Sequence, residues 1–212
     1  MTVIDLSHTI EETMSVYPGM EAPRLETVST YEQDLFRETL ISMFSHTGTH
    51  MDAPAHIFPE GKTLDQLPAD QFLGMALVID CRDLKEGDAI TIAHINPYGA
   101  DARRADFLLF NLGWDRFWGS DAYFGAFPCM DDDVLDFIIQ GSYKGIGVDT
   151  ISIDPMNSLT RHRKLFRGTQ SIIIENLKDL HNCSSGLFHF SCFPLKLKAG
   201  DGSPVRAVAW FD

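Results

Sequence analysis

The sequence predicts an α/β fold in a single domain spanning residues 1–212, with a mixed β-sheet and few helices. Three observations carry this expectation. A chain of 212 residues with 44% hydrophobic content is long enough to bury one sizeable core. Short apolar runs bounded by turn residues recur along its length, and several are near-continuously apolar, as in strands covered on both faces. Only one segment carries a clear helical stripe.

Taken in order, the runs read as strands at 3–6, 37–43, 76–80, 107–111, 145–148, 171–174, 188–193 and 205–210. Segment 63–74 reads as a short helix or turn region with Pro68 inside it. The clear helix follows Pro128. Asp131, Asp132 and Asp133 place negative charge where a helix N-terminus favours it. Val134, Leu135, Ile138 and Ile139 then form an apolar stripe for core packing, and Gly141 ends it. Upstream, Trp114, Phe117, Trp118, Tyr123, Phe124 and Phe127 cluster in a stretch rich in Gly, Asp and Pro. So many rings outside a clear strand predict a lid or an oligomer interface, with part of them in the core.

Composition narrows the function classes. Lys and Arg number 17 against 30 Asp and Glu, a net charge of −13, which disfavours nucleic acid and anionic membrane surfaces as partners. Cys81, Cys129, Cys183 and Cys192 form no Cys-x-x-Cys pair, so a thiolate zinc site or disulfide framework is not expected, and each reads as a small buried apolar residue. A basic n-region with an apolar h-region is missing from the N-terminal stretch, and a cytoplasmic protein is the expectation.

The chemistry concentrates in one string, His46-Thr47-Gly48-Thr49-His50-Met51-Asp52-Ala53-Pro54-Ala55-His56. Imidazole and carboxylate are ligands for Zn²⁺ or Mn²⁺. His46, His50, Asp52 and His56 share one parity, which in a straight strand puts them on one face. His46 and His50 would then lie about 13 Å apart, too far for two ligands at ~2.1 Å from one ion. A sharp bend at Gly48 is therefore expected, because a missing Cβ permits unusual dihedrals. Pro54, lacking an N–H, ends any ladder pairing. Glu175 closes a run of strand formers, where a side chain can face a cleft.

This string resembles the signature of the cyclase superfamily of metal-dependent hydrolases, which includes bacterial kynurenine formamidases and isatin hydrolase. Asp5-Leu6-Ser7-His8, Val16-Tyr17-Pro18-Gly19, Gly113-Trp114-Asp115-Arg116-Phe117-Trp118, Gly145-Ile146-Gly147-Val148-Asp149, Ile174-Glu175-Asn176-Leu177, Phe193-Pro194-Leu195-Lys196 and Gly202-Ser203-Pro204-Val205-Arg206-Ala207 follow in the family's order. The resemblance implies a swivelling β/β/α domain with His46, His50 and Asp52 on one metal. It implies Asp52, His162 and Glu175 on a second, one or two zinc ions per chain with manganese an alternative. The stretch between His162 and Glu175 is one residue longer than the family's usual one, and His162 stands among Arg161, Arg163, Lys164 and Arg167, which by themselves read as a solvated basic stretch. His56 matches the family's acid/base catalyst, with a further metal ligand as its competing reading. Tyr17 stands where formamidases carry a tryptophan lining the substrate pocket. A homodimer or homotetramer is expected, closed around the site by the aromatic segment.

The implied reaction is hydrolysis of an amide C–N bond, first of N-formylkynurenine to kynurenine and formate, within tryptophan catabolism. Hydroxide supplied at the metal attacks the carbonyl, and His56 shuttles the proton to the leaving nitrogen. Ring opening of a cyclic amide, imide or lactone is the alternative. From other classes, His50, Asp52 and His162 would satisfy a mononuclear iron oxygenase, against which His46 and Glu175 argue by filling open positions. A metal-binding protein without turnover is the third reading, against which His56 argues. Asp149 reads equally as a partner of a ligand imidazole or as a helix cap. His8 reads as a residue behind the site or at a strand end, and His94, His181 and His189 as structural or surface side chains.

Overall fold

Strands that are apolar throughout need cover on both faces, and the chain supplies one cover by closing its sheet on itself. The computed structural model describes residues 1–211. Its strands are β1 (Thr2–Asp5), β2 (Arg24–Ser29), β3 (Glu38–Ser42), β4 (His50–Asp52), β5 (Leu73–Asp80), β6 (Ala89–Ile90), β7 (Phe107–Asn111), β8 (Cys129–Met130), β9 (Gly145–Val148), β10 (Ile172–Glu175), β11 (Phe188–Pro194) and β12 (Gly202–Phe211). The α-helices are α1 (Tyr31–Asp34), α2 (Ile92–Ile95), α3 (Gly99–Arg104), α4 (Asp132–Gln140) and α5 (Thr160–Gly168).

Eight strands form one sheet in the order β1-β12-β11-β5-β7-β9-β10-β4, and β4 pairs again with β12. That second pairing closes a ring. β5, β7, β9 and β10 run parallel, while β11, β12, β1 and β4 join antiparallel, so the sheet is mixed. Alternate residues of β7 serve two cores: Phe107 and Leu109 pack with Met51, Ile174, Phe190 and Ala207, while Leu108 and Phe110 pack on the helical side with Val134, Leu135 and Ile138. At roughly 1.5–3 kcal/mol for each large side chain buried, these two layers dominate the favourable side of folding.

The helix after Pro128 is α4, with the Asp131 carboxylate accepting the Val134 N–H at 2.9 Å and Gly141 just past its end. Segment 63–74 holds two single turns, Leu64–Gln66 and Ala69–Phe72, before β5 begins. Half of the aromatic stretch is core, the part the sequence reading reserved for it. Trp114 and Tyr123 are fully enclosed, Phe127 is buried, and Phe117, Trp118 and Phe124 pack against them. The Trp114 Nε1–H donates to the Tyr123 carbonyl at 3.0 Å, and the Tyr123 hydroxyl donates to Asn176 Oδ1 at 2.7 Å, so these rings satisfy their polar atoms inside the core.

β2 was not expected as a strand and α5 was not expected as a helix. Among the described residues β2 and β3 pair only with each other, as a ribbon whose residues are mostly exposed. Among the described residues no helix is long and apolar enough to cross a membrane.

Candidate metal centre

β4 is three residues long, yet it organises the site. Met51 points into the sheet's enclosed core, so His50 and Asp52 share the opposite face. On one side β10 sets Glu175 directly across from His50 and Ile173 across from Asp52. On the other, β12 sets Gly202 across from Asp52 and Pro204 across from His50. His50, Asp52 and Glu175 are all buried.

His46 joins them through a bend. Gly48 has φ +66°, in the left-handed region. Its carbonyl accepts the Asn176 side-chain N–H at 2.7 Å, and the Thr49 hydroxyl donates to the Asn176 carbonyl at 2.6 Å. Turned back this way, His46 Nδ1 lies 2.6 Å from Asp52 Oδ1. His162 arrives on α5, which buries His162, Leu165 and Phe166, an i, i+3, i+4 stripe. The basic residues occupy the other positions of that helix, so the solvated stretch is only its outer side. The enclosed Asp154 carboxylate accepts the Arg161 and His162 backbone N–H groups at 2.9 and 3.0 Å, and His162 Nδ1 lies 2.8 Å from the same carboxylate.

The donor spacing around His50 and His162 suits a cation, while His46 stands at hydrogen-bond distance from Asp52. Two ligand atoms each ~2.1 Å from a tetrahedral ion lie about 3.4 Å apart. His50 Nε2 is 3.4 Å from Asp52 Oδ1 and 3.5 Å from Glu175 Oε2, while His162 Nε2 is 3.2 Å from Asp52 Oδ2 and 3.4 Å from Glu175 Oε1. The far nitrogen of each imidazole is held as well: His50 Nδ1 by the Gly48 carbonyl at 2.8 Å, His162 Nδ1 by Asp154 and His46 Nε2 by Asp201 at 3.0 Å. That pattern is how ligating histidines are oriented. Electrostatics agree. Burial opposes protonation of His46, yet Asp52 and Asp201 outweigh it and push its pKa up to about 9. Burial is likewise outweighed at His162, where Asp154, Asp52 and Glu175 hold the pKa well above its ordinary value. The carboxylates leave negative charge that positive charge must offset, and the residues present fit a divalent metal.

His56 follows β4 on the turn Pro54–His56, its ring centroid 4.0 Å from that of His46. His46, Asp52 and His56 bring one donor atom each within 4.8 Å of one another, as do His50, Asp52 and Glu175. Burial lowers the His56 pKa from 6.5; Asp52 opposes this, and His46 and His162 add to it. The donors open into a cavity of about 680 Å³ walled by Val16, Tyr17, Met20, Phe44 and Leu159. The Tyr17 hydroxyl accepts the Asn157 N–H at 3.1 Å.

Sequence reasoning missed Asp154 and Asp201. Asp154 precedes a helix that was not foreseen, and Asp201-Gly202 carries the composition of a turn. Asp149 is neither a histidine partner nor a cap; it accepts the backbone N–H groups of Leu112 and Trp114. His8 stacks on Trp118 with ring centroids 3.9 Å apart, and His189 stacks on Trp210.

The family model described as "Putative cyclase" matches residues 4–155. A kynurenine formamidase of Salinibacter ruber is 29% identical over 212 residues, spanning 98% of this chain and 97% of that protein. A kynurenine formamidase of Bacillus cereus is 28% identical over 214 residues, spanning 97% and 95%. Isatin hydrolase A from Labrenzia aggregata, bound to benzyl benzoate, superposes with a TM-score of 0.85 at 25% identity, over 98% of this chain and 93% of that one.

Proposed function

The chain belongs to the cyclase family whose model matches residues 4–155, and from that membership we propose that it is a metal-dependent hydrolase of an amide C–N bond. The first candidate reaction is N-formylkynurenine plus water to kynurenine plus formate. The observation that carries the reading is the convergence of three imidazoles on two shared carboxylates, Asp52 and Glu175, at 3.2 to 3.5 Å for His50 and His162. His46, His50 and Asp52 would hold one ion, and Asp52, His162 and Glu175 a second, with zinc as the expected metal and manganese suited to the same donors. Bound there, the metal supplies Lewis acidity toward a carbonyl and a water acidic enough to ionise near neutral pH.

His56 moves the protons. Burial keeps it neutral at pH 7, so it can take a proton from the attacking water and return it to the leaving nitrogen. Its Nδ1 lies 3.7 Å from Asp201 Oδ2, so the ring sits beside that carboxylate without a hydrogen bond to it. Tyr17, Met20 and Phe44 give an aromatic acyl or amine portion an apolar wall. Opening of a cyclic amide, imide or lactone is the second reading, favoured by the match to an isatin hydrolase and by Tyr17 standing in place of tryptophan.

Homo-oligomeric assembly is supported by the β2–β3 ribbon, where Val28, Phe36, Leu40 and Ile41 are all half-exposed or more. An isolated two-stranded ribbon is marginally stable in water, and an apolar surface of this kind commonly meets another chain. The deciding experiment is elemental analysis of the purified protein beside N-formylkynurenine hydrolysis with and without chelator. Metal and chelator-sensitive turnover together support the formamidase reading. Metal without turnover directs attention to isatin and related cyclic amides. A metal-free protein that cannot be reconstituted overturns the hydrolase reading.

A further inference from the structure

We propose that the Asp201-Gly202 pair is the seat that aims His46 at the metal, with Asp201 a positioning residue and Gly202 the space in which the ring lies. This rests on the metal-centre reading above. A neutral imidazole carries one N–H, and which nitrogen carries it decides which lone pair is available. His46 Nδ1 faces Asp52 at 2.6 Å, and Nε2 faces Asp201 Oδ2 at 3.0 Å. With Asp201 accepting Nε2–H, Nδ1 is the nitrogen whose proton, now held against Asp52, an ion would displace to take the lone pair. His50 and His162 do the reverse, presenting Nε2 while Nδ1 donates to Gly48 and Asp154. His46 thus approaches through its other nitrogen, and Asp201 is the group placed to enforce that choice.

Gly202 supplies an independent observation. Its φ is not in the left-handed region, so its backbone would accept any residue. A Cβ there, however, would lie 2.4 Å from His46 Cε1 and 2.7 Å from Nε2. The His46 ring occupies the volume a side chain would need. The seat is also anchored. The Ala53 N–H donates to the Asp201 carbonyl at 2.9 Å, and Gly202 sits across from Asp52 in the β12–β4 register. The backbone next to the shared carboxylate thereby fixes the one that turns His46. A plain surface ion pair would have neither the anchor nor the vacated volume, and losing it would leave metal affinity unchanged.

The test is Zn²⁺ affinity of the full chain by competition with a chromophoric chelator, with the visible spectrum of the Co²⁺-substituted protein as a geometric readout. Asp201→Ala and Gly202→Ala should each weaken Zn²⁺ by about 10–100-fold, the usual cost of losing an outer partner, and should shift the Co²⁺ absorption. Asp201→Asn keeps an oxygen acceptor and should restore most of the affinity and the wild-type spectrum. Wild-type affinity in Asp201→Ala overturns the seat. The same loss in Asp201→Asn as in Asp201→Ala overturns the hydrogen-bond role. Asp201 is half-exposed at its side chain, so its variants decide the matter even if Gly202→Ala fails to fold. A wild-type protein that binds neither Zn²⁺ nor Co²⁺ removes the metal-centre reading itself, whereas binding with unaffected variants removes only the seat.

Discussion

Asp154→Ala should damage stability and the metal centre together, because one carboxylate serves both. The side chain is fully enclosed. It accepts the Arg161 N–H, the His162 N–H and His162 Nδ1–H, and the Ser158 hydroxyl reaches it at 3.2 Å. Alanine leaves two backbone donors at the start of α5 and one ring donor without a partner in a buried place. Removing one member of such a buried charged network costs about 3–5 kcal/mol. At about 2–4 °C per kcal/mol for a chain of this size, the melting temperature falls by about 6–20 °C. Asparagine keeps one oxygen for the His162 groups but turns an N–H₂ toward the Arg161 N–H, so Asp154→Asn should fall between. The assay is thermal and urea unfolding of the metal-free proteins, followed by Zn²⁺ titration of those still folded at 25 °C. An Asp154→Ala protein melting within two degrees of wild type would refute the claim that this carboxylate holds α5 and His162 in place.

His56→Ala should bind metal like wild type while hydrolysis falls about 10²–10⁴-fold; elemental analysis and initial rates read the two separately, and surviving activity would remove its proton-transfer role. Asp52→Ala should release metal, and unchanged metal content in dialysed protein would undo its shared position. Chelator should lower the melting temperature, because saturation at 100 times Kd adds about 2.7 kcal/mol, or about 5–10 °C here; identical melting with and without metal would count against binding at a folded site. For pH, burial, reinforced by Lys178, pushes the His8 pKa down to about 4, and its buried Nε2 has no hydrogen-bond partner among the described residues. Unfolded chains take up that proton below 6.5, so this contribution is whole above pH 6.5 and declines by up to about 3 kcal/mol towards pH 4, less whatever its partial exposure screens. Urea midpoints at pH 7.5, 6 and 5 should show the decline in wild type and a flatter profile in His8→Phe, which keeps the stack on Trp118; equal slopes would refute it.

What the sequence disclosed was what is local. Gly48, hemmed by threonines between two histidines, requires a turn by simple reach, and the observed φ of +66° is such a turn. β7 and β9 are legible to the residue because unbroken apolar runs admit few readings. β2 escaped notice because Arg24-Leu25-Glu26-Thr27-Val28-Ser29 lies open to solvent and carries no strong apolar alternation. α5 escaped because four basic residues masked a stripe of only His162, Leu165 and Phe166. Asp154 and Asp201 were hidden for a different reason. Each acts on a histidine remote from it in the chain or behind an unforeseen helix, and nothing in an Asp-Pro or Asp-Gly pair announces a partner. Which aromatic rings belong to the core was not legible, because Trp and Tyr look like surface-seeking residues until their N–H and O–H find acceptors inside, as those of Trp114 and Tyr123 do.

The position of β4 makes assembling the donors and closing the sheet a single event. Three residues make a short ladder, and β4 is held along both edges, by β10 and by β12. β10 brings Glu175 and β12 begins at Gly202, with Asp201 just before it, so each neighbour that closes the ring also delivers a part of the site. Neither edge can be missing without losing a donor or the seat of His46. The same closure draws the Asp52 and Glu175 carboxylates together around imidazoles, of which His46 and His162 are held in favour of their protonated form by those carboxylates and by Asp201 and Asp154. On the metal-centre reading proposed above, Asp52, Glu175 and the imidazoles around them would hold a divalent ion there, and its charge would stand in for those protons. On that reading the proposed ligands lie on both sides of the β4 pairings that close the sheet, and metal binding would reinforce them.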